Sequence, residues 1–323
     1  MRFHPTLRFV LLMIAASVIL FSLATWILEM AYQADRRGQA GGQLNAYLAR
    51  EQPDVLVIGS SRAHHVVMPS VLSPGAYNLS HNGMNVVFQS GLVDVLAHKE
   101  ALPRDLLLLQ LQPEDLIIGS AADRHMQYLR YHHGRNAYIT AVIDRLSWSE
   151  PLKYLAPAYR FNGTALTVLL NASRSRSETL QGDGFEPHPT GGAADSSKVI
   201  LTMERAARHA PSEFSSLPDA PFTTPAGKAL LHIRAICAAQ GVRLVLFTSP
   251  YYSMPPIKKA VYAELIAGLR RAGFDYLDYS HDAIPTLAPI TYWVDNDHLN
   301  ADGAWLFSAR LRDDLLHAGW LAQ

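Results

Sequence analysis

Cysteine is almost missing from the 323-residue chain, Cys237 being the only one. A single thiol closes no disulfide framework and builds no cysteine zinc site. Its setting, Ala235-Ile236-Cys237-Ala238-Ala239, is that of a small core residue on a helix. Net charge is missing too: Lys and Arg together number 28, and so do Asp and Glu. No overall field exists to draw in nucleic acid or another polyanion, so that class of function is disfavoured. No internal repeat is visible. What the chain does have is apolar residues, 49% of the total. That is enough to bury one sizeable core, or one core with a large insertion.

From Phe9 to Leu28 the sequence is free of charge and mostly apolar. As a helix it would cross a hydrocarbon layer of about 30 Å. A cleavable signal peptide has a shorter apolar region and an A-x-A-like exit, and neither occurs before Glu29. The expectation is a retained single-pass anchor over 9–28, with residues 1–8 cytoplasmic. Arg2 and Arg8 lie on one side and Glu29 and Asp35 on the other, although Arg36 and Arg37 weaken the contrast. Residues 29–44, with the polar, glycine-containing stretch Ala34 to Gly42, read as a juxtamembrane linker.

A domain is expected over 45–323. Asp54-Val55-Leu56-Val57-Ile58-Gly59 is a continuous apolar run, the pattern of a strand buried on both faces. Similar runs occur at Asp105 to Gln112 and Val242 to Ser249, with a weaker one at Asp275 to Tyr279. Helical patterns at Val86 to His98, Ala226 to Gln240 and Ile257 to Ala272 alternate with them. Parallel strands need crossover connections, so the alternation predicts an α/β sandwich around a parallel sheet. Between about 120 and 225 the alternation stops. This is an insertion with structure of its own or a lid, ending in the Gly/Pro/Ser-rich stretch Gln181 to Ser197.

Ligands of open parallel sheets collect at the carboxyl ends of the strands. In Gly59-Ser60-Ser61-Arg62 a glycine permits a tight strand-to-helix turn and a serine follows at a helix amino terminus, where backbone N–H groups can meet an oxyanion. Taken alone, such a serine is more often just a helix cap. Near the carboxyl end, Asp295-Asn296-Asp297-His298-Leu299-Asn300 precedes a helix starting near Asp302. A serine hydroxyl needs a base, and a histidine oriented by a carboxylate supplies one. Asp295 and His298 fit that need, with Asp297 as an alternative carboxylate; a capping network is the bland reading of the same residues. In Asn78-Leu79-Ser80-His81-Asn82-Gly83-Met84-Asn85, Gly83 can offer an unobstructed backbone N–H or be an ordinary turn glycine.

In chain order these three segments resemble the SGNH/GDSL hydrolase superfamily, over most of the chain outside the anchor and insertion. Gly59-Ser60-Ser61 matches the first block, with serine in place of the usual aspartate. Gly83 matches the second-block glycine. Asp295-x-x-His298 with Leu299, Asn300 and Gly303 matches the last block, the most specific of the set. The resemblance implies a flavodoxin-like three-layer α/β/α fold, a Ser61-His298-Asp295 triad and an oxyanion hole from Ser61 and Gly83. The third block normally adds an asparagine amide. Here Gln112-Pro113 follows the strand, so Gln112 replaces that donor or the donor is missing. Arg62 and Asn85 are the expected substrate contacts, an ion pair being the alternative for Arg62. Tyr128, Tyr131, Tyr138 and Tyr159 of the insertion line a sugar groove or, more simply, pack the insertion onto the body of the domain. His64-His65 and His132-His133 read as packing or surface residues.

The variant is similar to membrane-anchored bacterial relatives associated with O-acylation of surface polysaccharides. It implies an inner-membrane protein whose catalytic domain is periplasmic, an acylated polysaccharide or acyl donor as substrate, and a membrane-bound acyltransferase as partner. No cofactor and no metal are expected. The rival readings are a noncatalytic glycan-binding or scaffold subunit, and a metal-dependent phosphoesterase using Asp295, Asp297 and His298.

Overall fold

A computed structural model describes residues 4–117, 120–175, 182–188, 196–209, 221–280 and 284–321. The chain divides into two compact units, 1–50 with 128–180, and 51–127 with 181–323. The expected insertion is therefore shared between them. Of Gln181 to Ser197, residues 182–188, 196 and 197 are described, and residues 181 and 189–195 lie outside the described residues.

The second unit is built on a five-stranded sheet, β1 (Val55–Ile58), β2 (Tyr77–Asn78), β3 (Leu106–Gln110), β4 (Arg243–Thr248) and β5 (Asp275–Asp278), in the order β2-β1-β3-β4-β5. Every pairing is parallel. The apolar runs form strands because both faces are covered. Val55, Val57, Leu106, Leu108, Val245 and Phe247 share one core with Phe307, Leu311 and Leu315 of the carboxyl-terminal helix Ala301–His317. Leu56, Ile58, Leu107, Leu109 and Leu246 have the opposite parity, so they point to the other face and are buried as completely. Helix Val86–His98 packs against helix Pro225–Ala239, which touches β4, and helix Pro256–Arg271 packs on β5. Caps fix where these helices begin. The Asn85 Oδ1 accepts the N–H groups of Val87 and Phe88, and the Thr224 hydroxyl oxygen accepts that of Gly227.

The chain leaves β1 toward one edge and returns through β3 to the other. The carboxyl ends of β1 and β3 thus flank the point where the winding reverses, the crevice such sheets offer to ligands.

In the first unit the apolar helix runs from Pro5 to Ala34, past the expected end at Leu28. The expected linker is correspondingly structured, with a tight Gly38–Gly42 turn and a short helix Gln43–Leu48. The last turns of the long helix are gripped by the insertion. Tyr32, Phe161 and Val168 form a small core joined by Leu28, Ala31 and Ala165. The Tyr131 ring stacks on Tyr32 at 3.5 Å, and its hydroxyl donates to Glu29 at 3.0 Å. Tyr131 therefore packs, but on the apolar helix and not on the domain body as expected. Tyr159 meets Tyr154 edge-on, and His133 stacks on Tyr154 while bonding Asp144.

After β2, His81 is fully enclosed, its Nδ1 held by the Leu79 carbonyl at 2.9 Å and its ring against Phe88. Burial pushes its pKa down from 6.5 to about 4. Below pH 6.5 the unfolded chain takes up a proton that the folded chain refuses until about pH 4. Stability should therefore be full above pH 6.5 and fall through that window, His81 contributing on the order of 3 kcal/mol of the loss. Thermal melts from pH 8 to pH 4 check this. The slope should shrink in His81→Gln; a flat or rising midpoint on acidification contradicts it.

Candidate active site

The site begins with the approach of two strand ends. Gly59 closes β1 against β3, where a Cβ in its place would lie 2.6 Å from Gln110 Cβ. No larger residue fits without moving backbone. The Gln110 Oε1 accepts the Ser60 N–H at 3.1 Å and the Ser60 hydroxyl at 2.7 Å. Because a backbone N–H only donates, Gln110 must turn its oxygen this way. The Gly59 carbonyl is held from the other side by His81 N–H at 2.9 Å and Gln89 Nε2 at 2.8 Å. Ser60, as N-cap, then starts the one-turn helix Ser61–His64. Ser61 is half-buried, followed by a wholly buried stretch from Arg62 to Val67.

The opposite wall is the loop before the carboxyl-terminal helix. Trp293 pairs with Leu299 across an antiparallel bridge, and its buried indole donates to the Leu287 carbonyl at 2.8 Å. Asn300 caps the next helix through Gly303 N–H, and a Cβ on Gly303 would meet the Tyr292 carbonyl at 2.5 Å. Inside the loop, Asp295 Oδ1 accepts the N–H groups of Asp297 at 3.0 Å and His298 at 2.8 Å.

These walls bring three predicted residues together. His298 Nδ1 lies 3.0 Å from both oxygens of Asp295, and His298 Nε2 lies 2.9 Å from Ser61 Oγ. Asp297 is farther, at 3.5 Å from Nδ1. With Nδ1–H donating to Asp295, the Nε2 lone pair faces the Ser61 hydroxyl, the tautomer a general base needs. Burial alone would raise the pKa of Asp295. The hydrogen bond and charge of His298 and the Asp297 N–H outweigh it and hold the carboxyl well below the usual range. Asp295 therefore stays ionised beside the ring.

The other expected residues fall differently. Gly83 occupies an exposed turn with φ +71°, closed by Met84 N–H to the His81 carbonyl. Among the described residues the N–H groups of Ser61 and Gly83 donate to no acceptor, as oxyanion donors must. Gln112 starts the turn Pro113–Leu116, and its side chain bonds to none of the described residues. Gln110, two residues earlier, is the amide that engages the serine turn. Asn85 is the helix cap described above, which commits its Oδ1. Arg62 is buried, donates to the Ser249 and Pro250 carbonyls at 2.5 and 2.8 Å, and stacks on Tyr251 at 3.7 Å. It forms no carboxylate ion pair among the described residues; its Nε and Nη1 have no partner there.

Sequence reasoning missed a ring of histidines around the triad. His64 and His65 are buried rather than surface residues, tied to Glu186 through its carboxylate at 3.3 Å and its carbonyl at 2.8 Å. Glu186 belongs to Gly182–His188, which lies along β2: Asn78 N–H donates to the Asp183 carbonyl at 2.8 Å, and a Cβ on Gly184 would run into the Asn78 carbonyl. The segment sets His188 at 5.5 Å from the His298 ring and 5.1 Å from that of His65. Burial, then neighbouring positive charge, lowers the pKa of His188; for His65 burial is likewise the largest cause.

Asp295, Asp297 and His298 are also the one trio among the described residues whose ligand atoms gather closely enough for a metal ion. The two uses compete. A metal on Nδ1 would leave the proton on Nε2, turning the ring from acceptor to donor toward Ser61. Comparison of the chain with protein-family models and with curated proteins finds no match.

The Gln110 contacts carry a prediction. Gln110→Leu strands the buried Ser60 N–H and should destabilise the protein by about 1–3 kcal/mol. Gln110→Glu keeps the acceptor and should recover most of that. Denaturant unfolding of both variants reads the difference; equal losses contradict the assignment.

Proposed function

We propose that the chain is a serine-dependent acyl esterase or O-acetyltransferase of SGNH type, acting on O-acyl groups of an exported or cell-surface polysaccharide. The observation that supports this best is the imidazole of His298 suspended between Asp295 and Ser61 with its acceptor nitrogen on the hydroxyl. The parallel sheet in the order β2-β1-β3-β4-β5, covered on both faces, agrees with a flavodoxin-like three-layer fold.

In this reading Ser61 Oγ attacks the acyl carbonyl and its proton passes to His298 Nε2. Asp295 stabilises the resulting imidazolium. The carbonyl oxygen becomes an oxyanion facing the N–H groups of Ser61 and Gly83. The leaving alcohol departs with the proton from His298, and Ser61 carries the acyl group as an ester. Water or a sugar hydroxyl then attacks, giving its proton to the same nitrogen, which returns it to Ser61 Oγ as the acyl–oxygen bond breaks and Ser61 is released. One base serves both halves, and only the second nucleophile separates hydrolysis from transfer.

The apolar helix Pro5–Ala34 supports anchoring: it is long and apolar enough to cross a membrane, and no residue of its most apolar stretch is buried. Its last turns are embedded in the insertion, which favours retention over cleavage. Basic residues before the apolar run and Glu29 and Asp35 after it favour a bacterial inner-membrane protein with the sheet domain outside. A membrane-bound acyltransferase would then be the donor's source.

A fluorophosphonate probe should label the wild type and leave Ser61→Ala unlabelled. Asp295→Asn should lower kcat on the order of 10⁴-fold, because the ring loses its tautomer. Incubation with an acetyl ester and an oligosaccharide, followed by mass spectrometry, reads the reaction. Acetylated sugar means transfer and acetate alone means an esterase. Neither product, with Ser61 unlabelled, contradicts catalysis and leaves the glycan-binding scaffold.

A further inference from the structure

The unit formed by the apolar helix and residues 128–175 has a second apolar surface. Helix Ala165–Ser175 turns Val168 and Ala172 inward, Val168 joining the core with Tyr32 and Phe161. Leu166, Leu169 and Leu170 lie on its other side at 70, 39 and 47% exposure. Spacings of three and four put them on one stripe of the helix. The same unit exposes Trp148 at 85%, Leu152 at 55% and Leu155 at 80%. Six large apolar side chains in water within so small a unit, in two groups, mark surface made to be covered.

What covers it follows from where it sits. Phe161, Ala165 and Val168 pack on Leu28, Ala31 and Tyr32, the end of the charge-free run Phe9 to Leu28 and the turn beyond it. Glu29 is held by Tyr131 and Arg135, and Asp35 Oδ1 accepts the Arg37 N–H at 2.8 Å, with Asn171 beside its other oxygen. The insertion is therefore fixed to the helix along its last two turns, Leu28 to Asp35, where a spanning helix leaves the hydrocarbon. Charge agrees. In a chain of zero formal charge, the described stretch 128–175 carries Arg130, Arg135, Arg145, Lys153, Arg160 and Arg174 against only Asp144 and Glu150. Basic residues beside exposed Trp and Leu are the composition of a surface that lies in an anionic lipid interface.

We infer that the Trp148–Leu155 segment and the Leu166/Leu169/Leu170 face of helix Ala165–Ser175 rest in the headgroup region of an anionic bilayer, beside the exit of the apolar helix. This rests on reading that helix as a membrane span.

Spin labels test it in the full-length protein. Cys237 is 1% exposed and its thiol is pushed up to about 12 by burial, so the wild type serves as an unlabelled blank. Single variants Ile19→Cys, Leu155→Cys, Leu166→Cys, Leu170→Cys and Trp305→Cys are labelled and reconstituted into nanodiscs of phosphatidylglycerol and phosphatidylcholine. Collision with oxygen and with a water-soluble nickel chelate gives depth. The label at 19 should read hydrocarbon, that at 305 water, and those at 155, 166 and 170 a depth of about 5–10 Å. Nanodiscs without phosphatidylglycerol should make these three shallower. Three results overturn the inference. Labels at 155, 166 and 170 as wet as 305, with 19 still deep, leave the span standing and remove the headgroup contact. A label at 19 in water removes the span itself. Labels shielded from both collision partners indicate a protein cover instead.

Discussion

The 2.9 Å contact between His298 Nε2 and Ser61 Oγ joins residues 237 positions apart, and most of the order around it serves to hold that one distance. Neither side is free to adjust. Ser61 hangs from a strand with both faces buried, through a turn that Gly59 allows to press against β3 and that Gln110 holds by two hydrogen bonds. His298 hangs from a loop stapled by the Trp293–Leu299 bridge, folded by the Asp295 carboxylate onto two N–H groups and stopped by the Asn300 cap. Asp295 thus does two jobs with one side chain, shaping the loop and orienting the ring. Serine chemistry needs both, because a misplaced base costs rate as surely as a missing one.

Much of this was legible in the sequence, for a physical reason. Strands buried on both faces read as unbroken apolar runs, so β1, β3 and β4 stand out, and the helix Val86–His98 was bounded to the residue. The short spacing of Asp295 and His298 let the loop itself announce their pairing. What stayed hidden depends on where strands stop and what returns from afar. Gln110 and Gln112 look alike in a run of leucines. Only the end of β3 at Gln110 and the turn at Pro113 decide which amide meets Ser60. His64 and His65 read as packing or surface residues and prove buried, but nothing in the pattern announces Glu186, over a hundred positions later, as their partner. The grip of residues 128–175 on Glu29 and Tyr32 is likewise a long-range match with no periodicity to betray it.

The histidines around the triad have a common logic. His65 and His188 flank His298, and burial disfavours the charged form of each. The two rings pack beside His298 at centroid distances of 6.4 and 5.5 Å. Gly182–His188 is thereby part of the site, docked on the β2 edge through Asp183 and Gly184.

The central claim is that Ser61 receives the acyl group. Acid-quenched protein, taken seconds after mixing with an acetyl ester and digested for peptide mass mapping, tests it most directly. One acetyl group on the peptide containing Ser61, accumulating in the wild type and missing from His298→Ala, is the result this account predicts. An acetyl group on another residue, or none while product still forms, would contradict it.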